Sequence, residues 1–286
     1  MRVTPRGQRR LGRRLSAADG SVNFICLHGR FRRYWTAGSG DPLLVVPGLA
    51  GGVELLGPLL RFLARQHRVY CLEPRDEGAP FLLRPAQSLD ELVDEQRSFA
   101  EALRLERIDV VGVSFGAAIT LKLALRSPGL VRTMVVSGAG AHSSSLPARI
   151  AGRILDRYRL PTDSPFFNQF FRLLFGEDED VGDLVDFVAQ RCWRTGQATI
   201  AQRLAMLADY DVRRDLSRIR TPTLVIAGRA DSIIRWQAQL AVAEAIPQGR
   251  FVAIEGAGHL CFVTRPRLFA RLTHEFLEAE NACFVV

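Results

Sequence analysis

The chain has 286 residues, of which 48% are hydrophobic and 24% charged, as expected for a globular protein of one large domain or one domain with an insertion. No apolar run reaches the ~18 residues of a membrane span. The net charge is +8, but six arginines precede the first acid, Asp19, so the rest of the chain has 32 basic against 30 acidic residues. This balance argues against a nucleic-acid-binding body.

The basic residues at the start form a tail, residues 1–20, that we predict to be disordered. A transit peptide is the alternative, because the stretch is arginine-rich and begins without acids, whereas "LSAADG" is too short and polar for a secretory signal. We therefore expect a cytoplasmic protein, with organelle targeting by the tail as the alternative. The arginines are Arg2, Arg6, Arg9, Arg10, Arg13 and Arg14.

The five cysteines are scattered, without a CxxC pair, and the histidines lack HExxH spacing. A zinc site or a disulfide framework is therefore unsupported, and reduced thiols are expected. The cysteines are Cys26, Cys71, Cys192, Cys261 and Cys283.

Strand and helix patterns alternate from residue 21 onward. Two strands, "SVNFICL" and "FRRYW", are joined by a turn near "HGR", and the apolar runs "DPLLVVPG" and "HRVYCLEP" follow. The stretch "SLDELVDEQRSFAEALRL" predicts a helix, with a capping box at Ser88 and Glu91. The strand "RIDVVGVS", the helix "FGAAITLKLALRS" and the strand "VRTMVVSG" come next.

The alternation resumes after a long interval. The strands "TPTLVIAG" and "RFVAIEG" flank the helix "RWQAQLAVAEAI", and "PRLFARLTHEFLEAE" predicts a closing helix. Such a chain is of the α/β class, with a mostly parallel central sheet and helices on both faces.

Residues 142–220 contain helical patterns but no clear strand, which predicts an inserted helical cap. We assign 21–141 and 221–280 to the core and 281–286 to a C-terminal tail. Several phenylalanines of the cap share one helical side, either as core packing of the cap or as an apolar substrate wall. They are Phe166, Phe167, Phe170 and Phe171.

The stretch "GVSFG" places Ser114 between Gly112 and Gly116, where a strand meets a helix. This is the context of a nucleophile elbow, a sharp turn at which a side chain on either flank would clash with neighbouring backbone. The serine then lies at the carboxyl edge of the sheet and at a helix N-terminus, which favours developing negative charge. The alternative is a serine that only caps the helix.

A serine nucleophile needs a base and an acid that orients the base. His259, after the last strand in "IEGAGHL", is the predicted base, with His142 as its competitor. Asp231, in "GRADSII", is the predicted acid, although it could instead cap the next helix. The rival acids at the end of the insertion are Asp209, Asp211 and Asp215.

An oxyanion hole needs two backbone donors. The N–H of Phe115, directly after the serine, is one candidate, and that of Leu49, in the loop "PGLAGG", is the other. A glycine-rich turn into the next helix is the simpler reading of that loop. The loop "PGLAGG" is not a phosphate-binding loop, because no Lys-Ser/Thr pair follows its glycines.

With these motifs assembled, the chain resembles the α/β-hydrolase fold superfamily over residues 21–280, through "VPGLAGG", "GVSFGAA", "GRADSII" and "GAGHL". The order Ser114, Asp231, His259 is the order of that superfamily. One departure is Pro47, where many relatives have histidine. Relatives that are haloalkane dehalogenases or epoxide hydrolases use aspartate at the elbow, so Ser114 argues against both activities.

The resemblance implies a carboxylesterase-like serine hydrolase that cleaves an ester of an apolar acid or alcohol through an acyl-enzyme intermediate, with no metal or organic cofactor. The alternatives are a C–C bond hydrolase, a thioesterase or an acyltransferase with the same residues, or a non-catalytic ligand-binding protein on this fold. The expected partner is a small apolar ester-like substrate, not a nucleic acid. The oligomeric state stays open.

Overall fold

The computed structural model describes residues 20–74, 88–143, 150, 152–155, 157–158, 173–176 and 182–282. In these ranges, eight strands form one sheet in the order β1-β2-β4-β3-β5-β6-β7-β8. The strands are β1 (Ser21–Leu27), β2 (Arg30–Ala37), β3 (Pro42–Val46), β4 (Arg68–Leu72), β5 (Ile108–Val113), β6 (Val131–Ser137), β7 (Thr223–Gly228) and β8 (Gly249–Ile254).

The sheet combines an antiparallel edge with a parallel body. β1 pairs antiparallel with β2 and β2 antiparallel with β4, whereas the strands from β4 to β8 run parallel. The β1–β2 turn places both His28 and Gly29 at positive φ, 50° and 74°, the geometry of a tight two-residue hairpin turn. The predicted opening hairpin is therefore confirmed.

Helices cover both faces of the sheet, as the apolar strand patterns predicted. The helices are α1 (Gly52–Leu63), α2 (Leu89–Ala102), α3 (Phe115–Arg126), α4 (Gly182–Arg194), α5 (Gln197–Ala208), α6 (Trp236–Ala245), α7 (Cys261–Thr264) and α8 (Pro266–Ala282). α1 packs with α8 on one face, while α2, α3 and α6 share the core of the other. Because β5 and β7 are covered on both sides, all their residues are buried.

The start of α2 illustrates how local sequence determines an element. The Ser88 hydroxyl accepts from the Glu91 N–H at 3.1 Å, and the Glu91 carboxylate accepts from the Ser88 N–H at 3.1 Å. Both halves of the predicted capping box are thus present, and they satisfy two N–H groups that a helix start leaves unpaired.

The described part of the interval between β6 and β7 contains α4, α5 and a 3₁₀ turn at Leu216–Arg218. The basic tail and the phenylalanines Phe166, Phe167, Phe170 and Phe171 lie outside the described residues. None of the helices in the described ranges has the length and apolar character needed to cross a membrane. Cys26, Cys71, Cys192 and Cys261 are not in disulfide bonds, and Cys283 lies outside the described ranges.

Candidate active site

Ser114 occupies a strained turn between β5 and α3. Its backbone has φ 54° and ψ −121°, a conformation that residues with a side chain rarely adopt. The Ser114 N–H donates to the carbonyl of Ser137 at 2.6 Å, which ties the turn to the neighbouring strand β6. The hydroxyl makes no capping hydrogen bond to α3. Ser114 therefore occupies the N-cap position of α3 without using its side chain to cap the helix, which leaves the hydroxyl available for other contacts.

The two glycines beside the turn are needed for close approach. A Cβ at Gly116 would lie 2.2 Å from the carbonyl oxygen of Val46 in β3, and one at Gly112 would lie 2.3 Å from the Thr120 hydroxyl. Both distances are below any real Cβ contact, and the contact at Gly116 is with backbone that cannot move aside. The clash predicted for a side chain at these positions is therefore confirmed. Because glycine has no side chain, the serine turn can lie against the centre of the sheet.

His259 follows β8 and faces the serine across the carboxyl edge of the sheet. Its Nε2 lies 2.9 Å from the Ser114 Oγ, and its side chain is buried. Backbone hydrogen bonds hold the loop on both sides of the imidazole: the N–H groups of Gly258 and Leu260 donate to the carbonyls of Phe175 and Leu174 at 3.1 and 3.0 Å. Residues of the β6–β7 insertion therefore hold the loop that carries His259.

Asp231 lies beyond the imidazole, after β7. Its Oδ2 is 3.0 Å from the Nδ1 of His259, and its Oδ1 accepts from the N–H groups of Ile233 and Ile234 at 2.9 Å each. The residue that caps α6 is Arg235, not Asp231. One oxygen of the carboxylate is thus anchored to its own loop while the other contacts the imidazole, so the carboxylate can fix the histidine tautomer.

A fourth side chain that the sequence analysis missed completes this network. Gln239, fully buried in α6, donates from Nε2 to the Asp231 Oδ2 at 3.0 Å and to the Ile234 carbonyl at 2.8 Å. Its Oε1 accepts from the Gly138 N–H at 2.8 Å. Gly138 lies beside His259, since a Cβ there would be 2.9 Å from the imidazole Cε1. No signal in the sequence singled out Gln239, because the same helix also contains Gln237 and Glu244.

The rival residues lie elsewhere. His142 is exposed and forms a bridge with Asp211, whose carboxylate pairs with the guanidinium of Arg213 at 2.6 Å. The hydrogen bonds from Arg213 hold the pKa of Asp211 well below its usual value. Asp215 pairs with Arg218, and Asp209 is exposed at the end of α5.

The two candidate oxyanion donors flank the serine. Phe115 is the first residue of α3, where a backbone N–H has no partner within the helix. Leu49 lies in the loop between β3 and α1, next to Gly48. A Cβ at Gly48 would lie 3.4 Å from the Ser114 Cβ, so this loop runs directly alongside the serine. Both N–H groups therefore belong to segments in contact with Ser114.

Cys261 lies two residues after His259 in the sequence and is an alternative nucleophile to Ser114. Burial raises the pKa of its thiol to about 12, and its Sγ lies 3.4 Å from the Ser137 hydroxyl. A thiol with such a pKa stays protonated near neutral pH and is a poor nucleophile. Within the described ranges, no group of three or more His, Cys, Asp or Glu side chains could hold a metal ion.

The parallel sheet, the serine turn after β5 and the hydrogen-bonded acid and histidine after β7 and β8 define the α/β-hydrolase class. The comparison with known families agrees: residues 24–272 match the alpha/beta hydrolase family. The chain belongs to this family and is an enzyme of the hydrolase type. A serine nucleophile is typical of the family.

Two curated proteins and one solved structure are similar to the chain over most of its length. It is 29% identical over 247 residues to the "Putative carbamate hydrolase RutD" of Pseudomonas savastanoi pv. phaseolicola, covering 84% of this chain and 95% of that protein. It is 27% identical over 259 residues to 2-hydroxy-6-oxo-2,4-heptadienoate hydrolase of Pseudomonas putida, covering 85% and 91%. Among solved structures, a hydrolase from Pseudomonas aeruginosa has a TM-score of 0.80 at 24% identity and covers 90% of this chain and 98% of that one.

Proposed function

We propose that this chain is a serine hydrolase that cleaves an ester of an apolar acid or alcohol through an acyl-enzyme intermediate on Ser114. The observation that carries the proposal is the continuous hydrogen-bonded series from Ser114 through His259 to Asp231, with distances of 2.9 and 3.0 Å. A serine hydroxyl is a weak nucleophile at neutral pH, and an adjacent base oriented by a carboxylate is the arrangement that activates it.

The proposed reaction uses each of these groups in turn. His259 Nε2 takes the hydroxyl proton as the Ser114 Oγ attacks the carbonyl carbon, and the N–H groups of Leu49 and Phe115 stabilise the resulting oxyanion. His259 then returns the proton to the leaving alcohol, and the carbon–oxygen bond of the ester breaks. A water molecule, deprotonated by the same histidine, attacks the carbonyl carbon of the acyl-enzyme. The bond between that carbon and the Ser114 Oγ then breaks, His259 returns the proton to Oγ, and the acid is released. The residues require no metal or organic cofactor for these steps.

The proposed preference for an apolar group comes from the phenylalanine pattern at 166–171 in the insertion, a stretch outside the described residues. The names of two relatives support other reactions for this chain. The likeness to a protein named as a carbamate hydrolase supports attack on a carbamate, and the likeness to 2-hydroxy-6-oxo-2,4-heptadienoate hydrolase supports C–C bond cleavage. Thioester cleavage and acyl transfer use the same residues and remain further alternatives.

A fluorophosphonate probe tests the proposed nucleophile. We expect the parent to be labelled on the peptide that contains Ser114 and the Ser114→Ala variant not to be labelled. Ser127→Ala, outside the site at the end of α3, is the matched control and should label like the parent. Absence of labelling in the parent would favour a non-catalytic binding protein.

Product analysis on four substrate types then separates the chemistries. Faster turnover of p-nitrophenyl esters with longer acyl chains would support the apolar ester. Preferred turnover of a carbamate, of a thioester, or of a vinylogous diketone would instead support carbamate hydrolysis, thioester hydrolysis or C–C cleavage. An acyl product on an added amine or alcohol would identify an acyltransferase.

A further inference from the structure

The loop that carries the candidate oxyanion donor Leu49, residues 48–51, is held by two side chains of the β6–β7 insertion. The first is Arg203 of α5, a buried arginine whose Nη1 donates to the carbonyl oxygen of Leu49 at 2.6 Å. The second is Thr195, fully buried between α4 and α5, whose hydroxyl accepts from the N–H of Gly51 at 3.0 Å.

These two bonds are strong determinants of the loop conformation. A hydrogen bond from a charged guanidinium to a carbonyl is about twice as strong as one between neutral groups. Gly51 is buried at the start of α1 with φ 83°, and without Thr195 its N–H would lose the acceptor that compensates for its burial. The insertion therefore supplies partners for backbone groups on both sides of Ala50.

The position of these bonds links them to the chemistry of the site. The Leu49 carbonyl and the Gly51 N–H belong to the two peptide units that follow the Leu49 N–H, and the Gly48 backbone precedes it beside Ser114. With both units held, the segment that follows the Leu49 N–H cannot shift away from Ser114 without breaking a bond to Arg203 or Thr195. The position of the donor relative to the serine thus depends on the insertion.

A second contact between the insertion and this part of the core provides a comparison. The carboxylate of Glu54, in the first turn of α1, pairs with Arg191 at 3.0 Å and with Arg194, both in α4. This ion-pair cluster also joins the insertion to α1, but it lies outside residues 48–51. Loss of the exposed Arg194 should therefore weaken docking of the insertion without changing the oxyanion loop.

From these contacts we infer that Arg203 and Thr195 are positioning residues for the oxyanion hole, so that the insertion sets the geometry of transition-state stabilisation. The inference rests on the proposed function. An oxyanion exists only after attack by the serine, so a displaced donor should lower kcat and leave KM nearly unchanged.

Paired substitutions test the inference on a p-nitrophenyl ester. We expect Thr195→Val, which keeps the side-chain shape but removes the acceptor, to lower kcat about 10- to 100-fold with KM within about threefold. Thr195→Ser, which keeps the hydroxyl, should restore kcat to within about threefold of the parent. Arg203→Met should behave like Thr195→Val, Arg203→Lys should recover part of the loss, and the control Arg194→Met should stay near the parent.

Two further measurements separate this inference from the proposed function. The affinity for a trifluoromethyl ketone, which forms a tetrahedral adduct with a serine, should fall in parallel with kcat in Thr195→Val and Arg203→Met. Hydrogen–deuterium exchange over residues 48–55 reports on the loop without any turnover, and it should quicken at least about tenfold in both variants. Unchanged exchange in both variants would overturn the inference whether or not the chain is an esterase. If the ester is turned over, a kcat within threefold of the parent in both variants would overturn it as well.

Discussion

Gln239, in α6, and His259, in the loop after β8, both donate to the Oδ2 of Asp231, at 3.0 Å each. Since Gln239 also accepts from the Gly138 N–H at 2.8 Å, one buried amide joins the candidate acid to the backbone beside the imidazole.

Replacing Gln239 with leucine should destabilise the protein and lower its activity. The change removes one donor from Asp231 and leaves the buried Gly138 N–H without its acceptor, a loss of about 1–3 kcal/mol in unfolding free energy for each unpaired group. Urea denaturation measures that loss. Gln237→Leu, in the same helix but exposed, is the matched control and should change stability by less than about 0.5 kcal/mol. Equal effects at the two positions would contradict the prediction.

Replacing Asp231 with asparagine should lower kcat by about 10⁴-fold, the loss seen when a triad carboxylate is replaced by an amide of the same shape. The asparagine amide can present a donor to His259 Nδ1, which favours the wrong tautomer. Initial rates on a p-nitrophenyl ester measure the effect. The control is Asp211→Asn, at an exposed carboxylate paired with Arg213, which should keep kcat within about threefold. A larger loss in the control would transfer the role of the acid to Asp211.

Two substitutions of Ser114 should differ in stability although neither retains the nucleophile. At φ 54° and ψ −121°, a side chain costs about 1–3 kcal/mol that glycine does not incur, while glycine gives up about 0.5–1 kcal/mol through the entropy of the unfolded chain. We therefore expect Ser114→Gly to be about 1 kcal/mol more stable than Ser114→Ala. Thermal denaturation of both variants measures this difference, and equal melting temperatures would indicate that the turn is not strained.

A buried histidine pair far from the serine should make stability depend on pH. His67 and His274 stack with their ring centroids 5.1 Å apart and their planes within 3°. Burial lowers the pKa of both imidazoles, and for His67 the charge of His274 adds to this effect, partly opposed by Asp109 and Asp41. The two neutral imidazoles thus make their full contribution to the free energy of unfolding above the unfolded-state pKa of about 6.5. That contribution is lost as the pH falls through their lower pKa values in the folded state.

The pH dependence of this pair can be isolated by substitution. We expect the loss of unfolding free energy between pH 8 and pH 5 to be smaller in His274→Gln than in the parent, because one of the two coupled groups no longer titrates. His142→Gln, at an exposed position, is the control and should follow the parent curve. Urea unfolding at several pH values provides the measurement, and parallel curves for parent and His274→Gln would contradict the assignment.

Local signals in the sequence were sufficient to predict most elements and the serine turn. The capping box at Ser88 and the apolar strand runs act over a few residues, so they can be read without knowledge of the fold. The need for Gly112 and Gly116 was also predictable, because a strand–serine–helix turn requires small flanks wherever it occurs.

What the tertiary structure decided was which distant side chains meet. Ser114 and His259 are 145 residues apart, and Thr195 reaches Gly51 across 144 residues, contacts that depend on the strand order and on how the insertion packs. Gln239, Arg203 and Thr195 have no local pattern that marks them, since an amide, a guanidinium or a hydroxyl on a helix is usually solvated. Their positions follow from burial, because a polar group can be buried here only where a partner satisfies it.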